Sequence, residues 1–252
     1  MEKIKIMSGN IDGINGAFLR GFPKIIKQTQ PDIICIQEVK IPEKKIKDKV
    51  RNLQGYKSNF YTPLRGKKSG VGLYSKIHPK LQLWGLGIEK GMEGRTLLAK
   101  FDKFTLINTY APSGRKHEEL KYKYQYIENL FKYAQKLHQE GQNVILCGDF
   151  NIAYSQKEVY NPEYYGPGYL NEEKILFKKF LKSGFIDTYR IFHPNKKYFT
   201  WRSRRLREYN LEGGFKLDYI LANKELENNI TDAYIRNYEL SDHDQLFLEL
   251  EI

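Results

Sequence analysis

The stretch Asn143-Val-Ile-Leu-Cys-Gly-Asp-Phe-Asn151 carries the densest chemical signal in the chain. Residues 144–147 are all apolar and read as a strand buried on both faces, too short for a core helix. Gly148 ends the run, and Asp149 and Asn151 follow at its tip. A buried strand that delivers a carboxylate and a carboxamide to one point suits a site handling a metal, a phosphate or a proton. Binding groups collect at strand tips in layered α/β proteins. The same two side chains could instead close a turn and cap a helix. Other strand ends repeat the pattern. Asn10, Glu38 and Tyr110 each stand at the end of a separate predicted strand. Asp218 lies within the strand-like run 216–220, where a buried charge needs a partner. Ser241-Asp242-His243-Asp244 precedes the last strand, and His243 is the only one of five histidines flanked by carboxylates. Each residue alone has a bland explanation. Seven such groups at corresponding positions do not.

The elements that must position these groups follow from periodicity. Alternation predicts a strand over residues 3–7 with a polar tip at 8–13. Helical spacing covers 17–28, although Gly21 and Pro23 weaken its first turns. A buried strand is expected over 32–36 with Gln37 and Glu38 at its tip, then a charged helix over 42–53. Residues 56–61 and 71–75 read as strands separated by a basic turn at Arg65, Gly66, Lys67 and Lys68. More strands fall between 81 and 110, notably 96–101 and 104–110, joined at Asp102 and Lys103. The longest helix is expected over 118–138, stopped by Gly141. Residues 153–170, rich in Tyr, Gly, Pro and Asn, show no period, and a segment of that length usually serves function. A helix over 172–183, a strand or short helix over 185–192, a basic loop over 198–214 and strands over 215–222, 231–238 and 245–252 complete the chain. Many strands and few, separated helices suggest two packed sheets with helices outside, in one domain spanning 1–252.

A chain of 252 residues can bury a sizeable core. Its net charge of +12 favours a polyanionic partner such as nucleic acid, and 19 tyrosines among its Lys and Arg suit sugar and base as well as phosphate. Cys35 and Cys147 sit in apolar runs, which favours buried free thiols over a disulfide or a zinc site. No apolar run approaches the roughly 20 residues of a membrane span, and the N-terminus lacks a signal-peptide core. An intracellular, cytoplasmic protein is expected.

The ordered set Asn-x-Asp-Gly (10–13), Gln-Glu (37–38), Gly-Asp-Phe-Asn (148–151), Leu-Asp-Tyr (217–219) and Ser-Asp-His (241–243) resembles exonuclease III-type apurinic/apyrimidinic endonucleases of the endonuclease/exonuclease/phosphatase superfamily. Glu-Gly-Arg (93–95), Asn-x-Tyr-x-Pro (108–112) and Thr-Trp (200–201) extend the likeness over the whole chain. The resemblance implies an α/β fold, a four-layer αββα sandwich of two mixed sheets with the site at one edge. It implies Mg2+-dependent hydrolysis (Mn2+ also serving) of double-stranded DNA 5′ to an abasic site, leaving a 3′-hydroxyl, with exonuclease or 3′-repair activity on blocked ends. Glu38 would be the principal metal ligand with Asn10 and Asp12 near it, and Asp149, Asn151, Asp242 and His243 complete the candidate set around the ion. Asp149 would activate or orient water, Asn151 would bond the transition state, Tyr110 would offer its phenol, and His243, steadied by Asp218, would hold a phosphate oxygen. Arg95, Arg115 and Lys121 would grip backbone phosphates, and Trp201 and Phe215 would wall the pocket for a flipped baseless sugar. A monomer is expected.

Two alternatives stay open. One is a less specific nuclease or small-phosphoester phosphatase of the same superfamily. The other is an inactive nucleic-acid-binding module, which would gain nothing from carboxylates facing phosphate. Departures from the family pattern bear on substrate preference. Gly9 replaces a common aromatic, Asp244-Gln245 replaces a small residue and proline, and Arg202, Arg204, Arg205 and Arg207 make an unusually basic stretch. In the loop 153–170 only Asn161-Pro162 follows the family. Asp244 is expected to raise the pKa of His243.

Overall fold

Among the described residues, twelve strands build the frame that holds the strand tips together. In chain order they are β1 (Lys3–Asn10), β2 (Ile33–Gln37), β3 (Lys57–Tyr61), β4 (Val71–Ser75), β5 (Leu81–Trp84), β6 (Thr96–Lys100), β7 (Thr105–Tyr110), β8 (Val144–Asp149), β9 (Phe185–Asp187), β10 (Asp218–Asn223), β11 (Ile230–Arg236) and β12 (Gln245–Glu251). The computed structural model describes residues 2–63, 69–89, 94–209 and 211–252. The basic turn expected at 65–68 and Glu93 of the Glu-Gly-Arg motif lie outside them. One six-stranded sheet runs β11-β12-β1-β2-β4-β3, the other β5-β6-β7-β8-β10-β9. Both are mixed: β1 runs parallel to β2 and β7 to β8, while their other pairings are antiparallel.

The helices are α1 (Ile14–Leu19), α2 (Phe22–Thr29), α3 (Asp48–Arg51), α4 (His117–Gln139), α5 (Asn171–Lys182), α6 (Thr188–Phe192) and α7 (Arg204–Glu208). Between the sheets, Ile6, Cys35 and Leu73 share one buried core with Leu106, Cys147 and Ile220. Outside the second sheet, Ile107 and Leu146 pack with Ile127 and Phe131 of α4 and Phe177 and Phe180 of α5. Outside the first, Met7, Ile34 and Tyr74 pack with Phe22, Ile25 and Ile26 of α2. Helices thus cover both outer faces, giving the expected four layers. Covering both faces is why β2 and β8 read as unbroken apolar runs. Both cysteines are buried free thiols, as expected. Among the described residues no helix is long and apolar enough to cross a membrane.

Local predictions needed adjustment where glycine or charge interrupts the pattern. The helix expected over 17–28 is two helices, because Gly21 sits at φ 102° and breaks the chain direction between them. The charged segment 42–53 is reduced to a 3-10 turn at Glu43–Lys45 and the single turn α3. Residues 185–192 form both a strand and a helix in succession. The strand predicted from 215 begins at Asp218, and the basic loop 198–214 contains α7.

Candidate active site

Register brings the predicted groups to one edge. Asn10 pairs with Gln37 across β1 and β2, Tyr110 lies opposite Asp149 across β7 and β8, and Asp218 lies opposite Asp149 across β8 and β10. Among the described residues, four non-glycine residues there adopt the left-handed region: Asp12 (φ 46°), Glu38 (φ 57°), Lys40 (φ 60°) and Asn151 (φ 53°). Such conformations cost roughly 1–3 kcal/mol each and gather at functional sites. Gly148 is required in a different way. At φ 136°, any Cβ would collide with the carbonyl of Thr109, so glycine lets the end of β8 close against β7. A cavity of about 610 Å3 opens at this edge.

Asp149 is buried beside it. Its Oδ2 accepts from Asn10 Nδ2 at 3.0 Å, and its Oδ1 accepts from the Asn151 backbone N–H at 2.9 Å. His243 Nδ1 meets Asp218 Oδ2 at 2.8 Å, and its Nε2 lies 3.9 Å from Asp149 Oδ2. The Thr200 hydroxyl donates to the same Asp218 oxygen at 2.5 Å. The His243 peptide is held on both sides: its N–H donates to Ser241 Oγ (3.0 Å), and its carbonyl accepts from Gln245 Nε2 (2.9 Å). Ser241 Oγ in turn donates to the Asn10 carbonyl at 2.6 Å, tying the last strand to the first.

Electrostatics follow from this packing. Burial alone would lower the pKa of His243, but Asp218, Asp149 and Asp242 override it and push it up to about 10. Burial and the neighbouring Asp218 push Asp149 up to about 7, opposed by His243. Tyr110, driven well up by burial and by Glu38 and Asp149, stays a phenol and donates to Glu38 Oε1 at 2.6 Å. Glu38 Oε2 pairs with Lys40 at 2.5 Å, Lys40 also bridges to Asp12, and Arg204 takes the other Asp12 oxygen. A cation therefore already sits between the two carboxylates that were expected to attract one. Their hard oxygen donors fit Mg2+ or Mn2+. Atoms of Asp149, Asp218 and His243 also lie within 4.8 Å of one another, close enough for a metal. Within this trio the short contact is that of His243 Nδ1 with Asp218, while Nε2 stands 3.9 Å from Asp149.

Trp201, Phe215 and Leu217 wall the cavity, with Arg115, Asp242 and His243 also in its lining. Trp201 and Phe215 exchange backbone hydrogen bonds of 2.8 and 3.0 Å, and their rings lie 6.0 Å apart. Trp201 Nε1 donates to Asp242 Oδ2 at 3.0 Å.

Several expected residues sit elsewhere. Asn10 is fully buried and outside the cavity lining: its Oδ1 accepts the Asp12 N–H at 3.2 Å and its Nδ2 donates to Asp149. Asp218, by contrast, stands where it was expected, against His243 Nδ1. Arg95 turns inward: its Nη1 donates to the Tyr110 carbonyl at 3.0 Å and its guanidinium covers the Tyr110 ring. These two contacts are with Tyr110, and Arg95 is not among the cavity-lining residues. Lys121 is exposed on α4, away from the cavity lining. Asp244 directs its carboxylate to the Tyr198 hydroxyl (3.1 Å) and toward Arg202 (3.6 Å), and the carboxylates that raise His243 are Asp218, Asp149 and Asp242. Gly9 faces Gln245, whose Cγ would stand 3.0 Å from a Cβ at position 9, so the two departures compensate in volume. Sequence reasoning missed Lys40, Thr200, Leu217 and Tyr164. Thr200 and Leu217 belong to quoted motifs without having been given a role, and Lys40 lies two residues after Glu38, which was the available signal.

Residues 7–243 match the Endonuclease/Exonuclease/phosphatase family. The chain is 30% identical over 240 residues to an exodeoxyribonuclease of Bacillus subtilis, a match covering 92% of this chain and 93% of that protein. It is 31% identical over 243 residues to a DNA-(apurinic or apyrimidinic site) endonuclease of Dictyostelium discoideum, covering 91% of this chain and 65% of that one. Its fold matches an AP endonuclease from Archaeoglobus fulgidus with a TM-score of 0.89 at 29% identity, over 99% of this chain and 100% of that chain. The chain belongs to the Endonuclease/Exonuclease/phosphatase family, in its exonuclease III-type branch of DNA repair nucleases.

Proposed function

We propose that this DNA repair nuclease hydrolyses the phosphodiester 5′ to an abasic site in double-stranded DNA, leaving a 3′-hydroxyl, and also clears blocked 3′ ends. An aromatic cavity that opens directly onto Asp149 and His243 carries the proposal. The baseless sugar leaves the stack at the lowest cost, and a cavity walled by Trp201, Phe215 and Leu217 selects it by shape. His243, held as imidazolium, donates from Nε2 to a phosphate oxygen while Asp218 fixes its Nδ1. Asp149 takes the proton of the attacking water, a role suited to a carboxyl titrating near neutrality. Asn151 gives one amide proton to the Ala111 carbonyl (3.0 Å) and has a second for the transition state. Tyr110 adds a phenolic donor. Glu38 and Asp12 would hold Mg2+, whose charge neutralises the attacked phosphate and the leaving oxygen.

The test is incubation of the purified protein with one labelled duplex, intact or bearing a single abasic site, in Mg2+ or EDTA. One nick 5′ to the abasic site in Mg2+ alone is expected. Equal cleavage of intact duplex would favour the less specific nuclease, and binding without cleavage would favour the inactive module. Undiminished cleavage in EDTA would overturn the metal assignment.

A further inference from the structure

We infer that Tyr164 is a fourth wall of the cavity and sets the upper size of the nucleotide it admits. The inference rests on the abasic-site proposal and adds a specificity-determining residue to it. Tyr164 belongs to the aperiodic loop 153–170 and lines the cavity together with the expected walls. Its ring meets Phe215 edge-on, with centroids 5.2 Å apart. It is 38% exposed, so part of the ring is open to whatever enters.

The ring reaches this position because residue 166 is glycine. A Cβ on Gly166 would stand 2.7 Å from Tyr164 Cζ and closer still to the hydroxyl, although the backbone of Gly166 does not have a positive φ. Glycine is needed there for the space it leaves, not for the turn it permits. The ring folds back over that gap.

The loop beneath it is fixed. Gly168 and Leu170 give their N–H groups to Glu173 Oε2 at 2.8 and 2.9 Å, and the other Glu173 oxygen pairs with Lys123, both side chains being fully buried. Lys123 also donates to the Asn151 carbonyl at 2.7 Å, and Ala153 donates to the Gly168 carbonyl at 2.7 Å. Tyr169 packs in a small core with Val159 and Leu217, against Trp201 and Phe215. The C-terminal part of the loop is therefore tied to the residues that follow the tip of β8. With the ring at the cavity, a sugar still carrying its base is rejected, because the extra ring must displace Tyr164 from Phe215 to enter.

Tyr164→Ala and Gly166→Ala should then share a phenotype, one by deleting the ring and the other by pushing it out. For each variant, kcat/KM is measured on abasic duplex and for release of undamaged nucleotides from a 3′ end. The ratio of undamaged to abasic turnover should rise by about tenfold in both, the scale of discrimination that a pocket wall supplies. Tyr164→Phe should keep the wild-type ratio, since the hydroxyl makes only a 3.5 Å approach to the Pro167 carbonyl. Melting curves run alongside separate a loss of folding, which would lower both rates together and leave the ratio alone. A wild-type ratio in both Ala variants would overturn the wall. Absence of abasic cleavage in the wild-type protein would instead overturn the proposed function itself.

Discussion

Replacing Asp218 with asparagine tests the charge state on which the His243 role depends. Asparagine keeps an oxygen that can accept from His243 Nδ1 and from Thr200, so geometry is retained while the charge is removed. The pKa of His243 stands at about 10 against an ordinary 6.5. That difference corresponds to about 5 kcal/mol favouring the imidazolium at this buried site. Asp218 is the foremost of the raising partners and acts both as a charge and as a hydrogen-bond acceptor. Losing its charge should therefore lower the pKa by about two units, or roughly 3 kcal/mol. The folded-state value lies above the unfolded one. The contribution to stability is thus complete below about pH 6.5 and fades as pH rises through about 10. Asp218→Asn should melt roughly 6–12 °C below wild type at pH 6, and the gap should narrow toward pH 10. Relief from burying a carboxylate makes this an upper bound. The alkaline limb of kcat/KM should move down from about 10 by the same two units. Thermal unfolding across pH 6–10 in a chelator, with pH–rate profiles in Mg2+, measures both effects. A melting gap that does not change with pH, together with an unmoved alkaline limb, would show that His243 is neutral in the folded protein.

Other outcomes follow from the same geometry. Glu38→Gln removes a carboxylate facing Lys40 and Tyr110, and should cut turnover on the order of a hundredfold or more, with partial recovery as Mg2+ is raised. Activity indifferent to both changes would remove Glu38 from the metal site. Trp201→Ala should lower abasic cleavage about a hundredfold while costing only a few degrees of melting temperature, because the ring is only partly buried and its indole bond to Asp242 lies at the cavity. A collapse in stability with unchanged substrate selectivity would make Trp201 a packing residue. Replacing Arg204 and Arg205 together should weaken binding to intact and abasic duplex alike. It should also flatten the log–log salt slope by about one unit for each phosphate that the protein no longer neutralises. An unchanged slope would mean that these arginines neutralise no phosphate.

Local signals made much of this protein legible. Short apolar runs ended by glycine or polar residues exposed the strands, because a strand covered on both faces must be apolar throughout and must stop where polar groups begin. The chemical groups were visible for the same reason: Glu38, Tyr110, Asp149 and Asn151 interrupt those runs at their ends. Hydrogen-bonded register lies outside such local rules. Only the pairing of β1 with β2, of β7 with β8 and of β8 with β10 shows that these tips share one edge. Three-dimensional packing also separated residues that look alike along the chain. Asp242 and Asp244 both flank His243, yet one lines the cavity and the other turns to Tyr198. Arg95 and Arg115 look interchangeable until Arg95 is found against Tyr110. The wall formed by Tyr164 was hidden because its cause is a missing Cβ at Gly166, and the space around a residue is set by neighbours that the linear order does not name. Strand alternation and chain breaks are properties of a few adjacent residues and can be read from them. Charge partners, cavity walls and ligand positions arise from contacts between distant segments, and those exist only once the two sheets have closed.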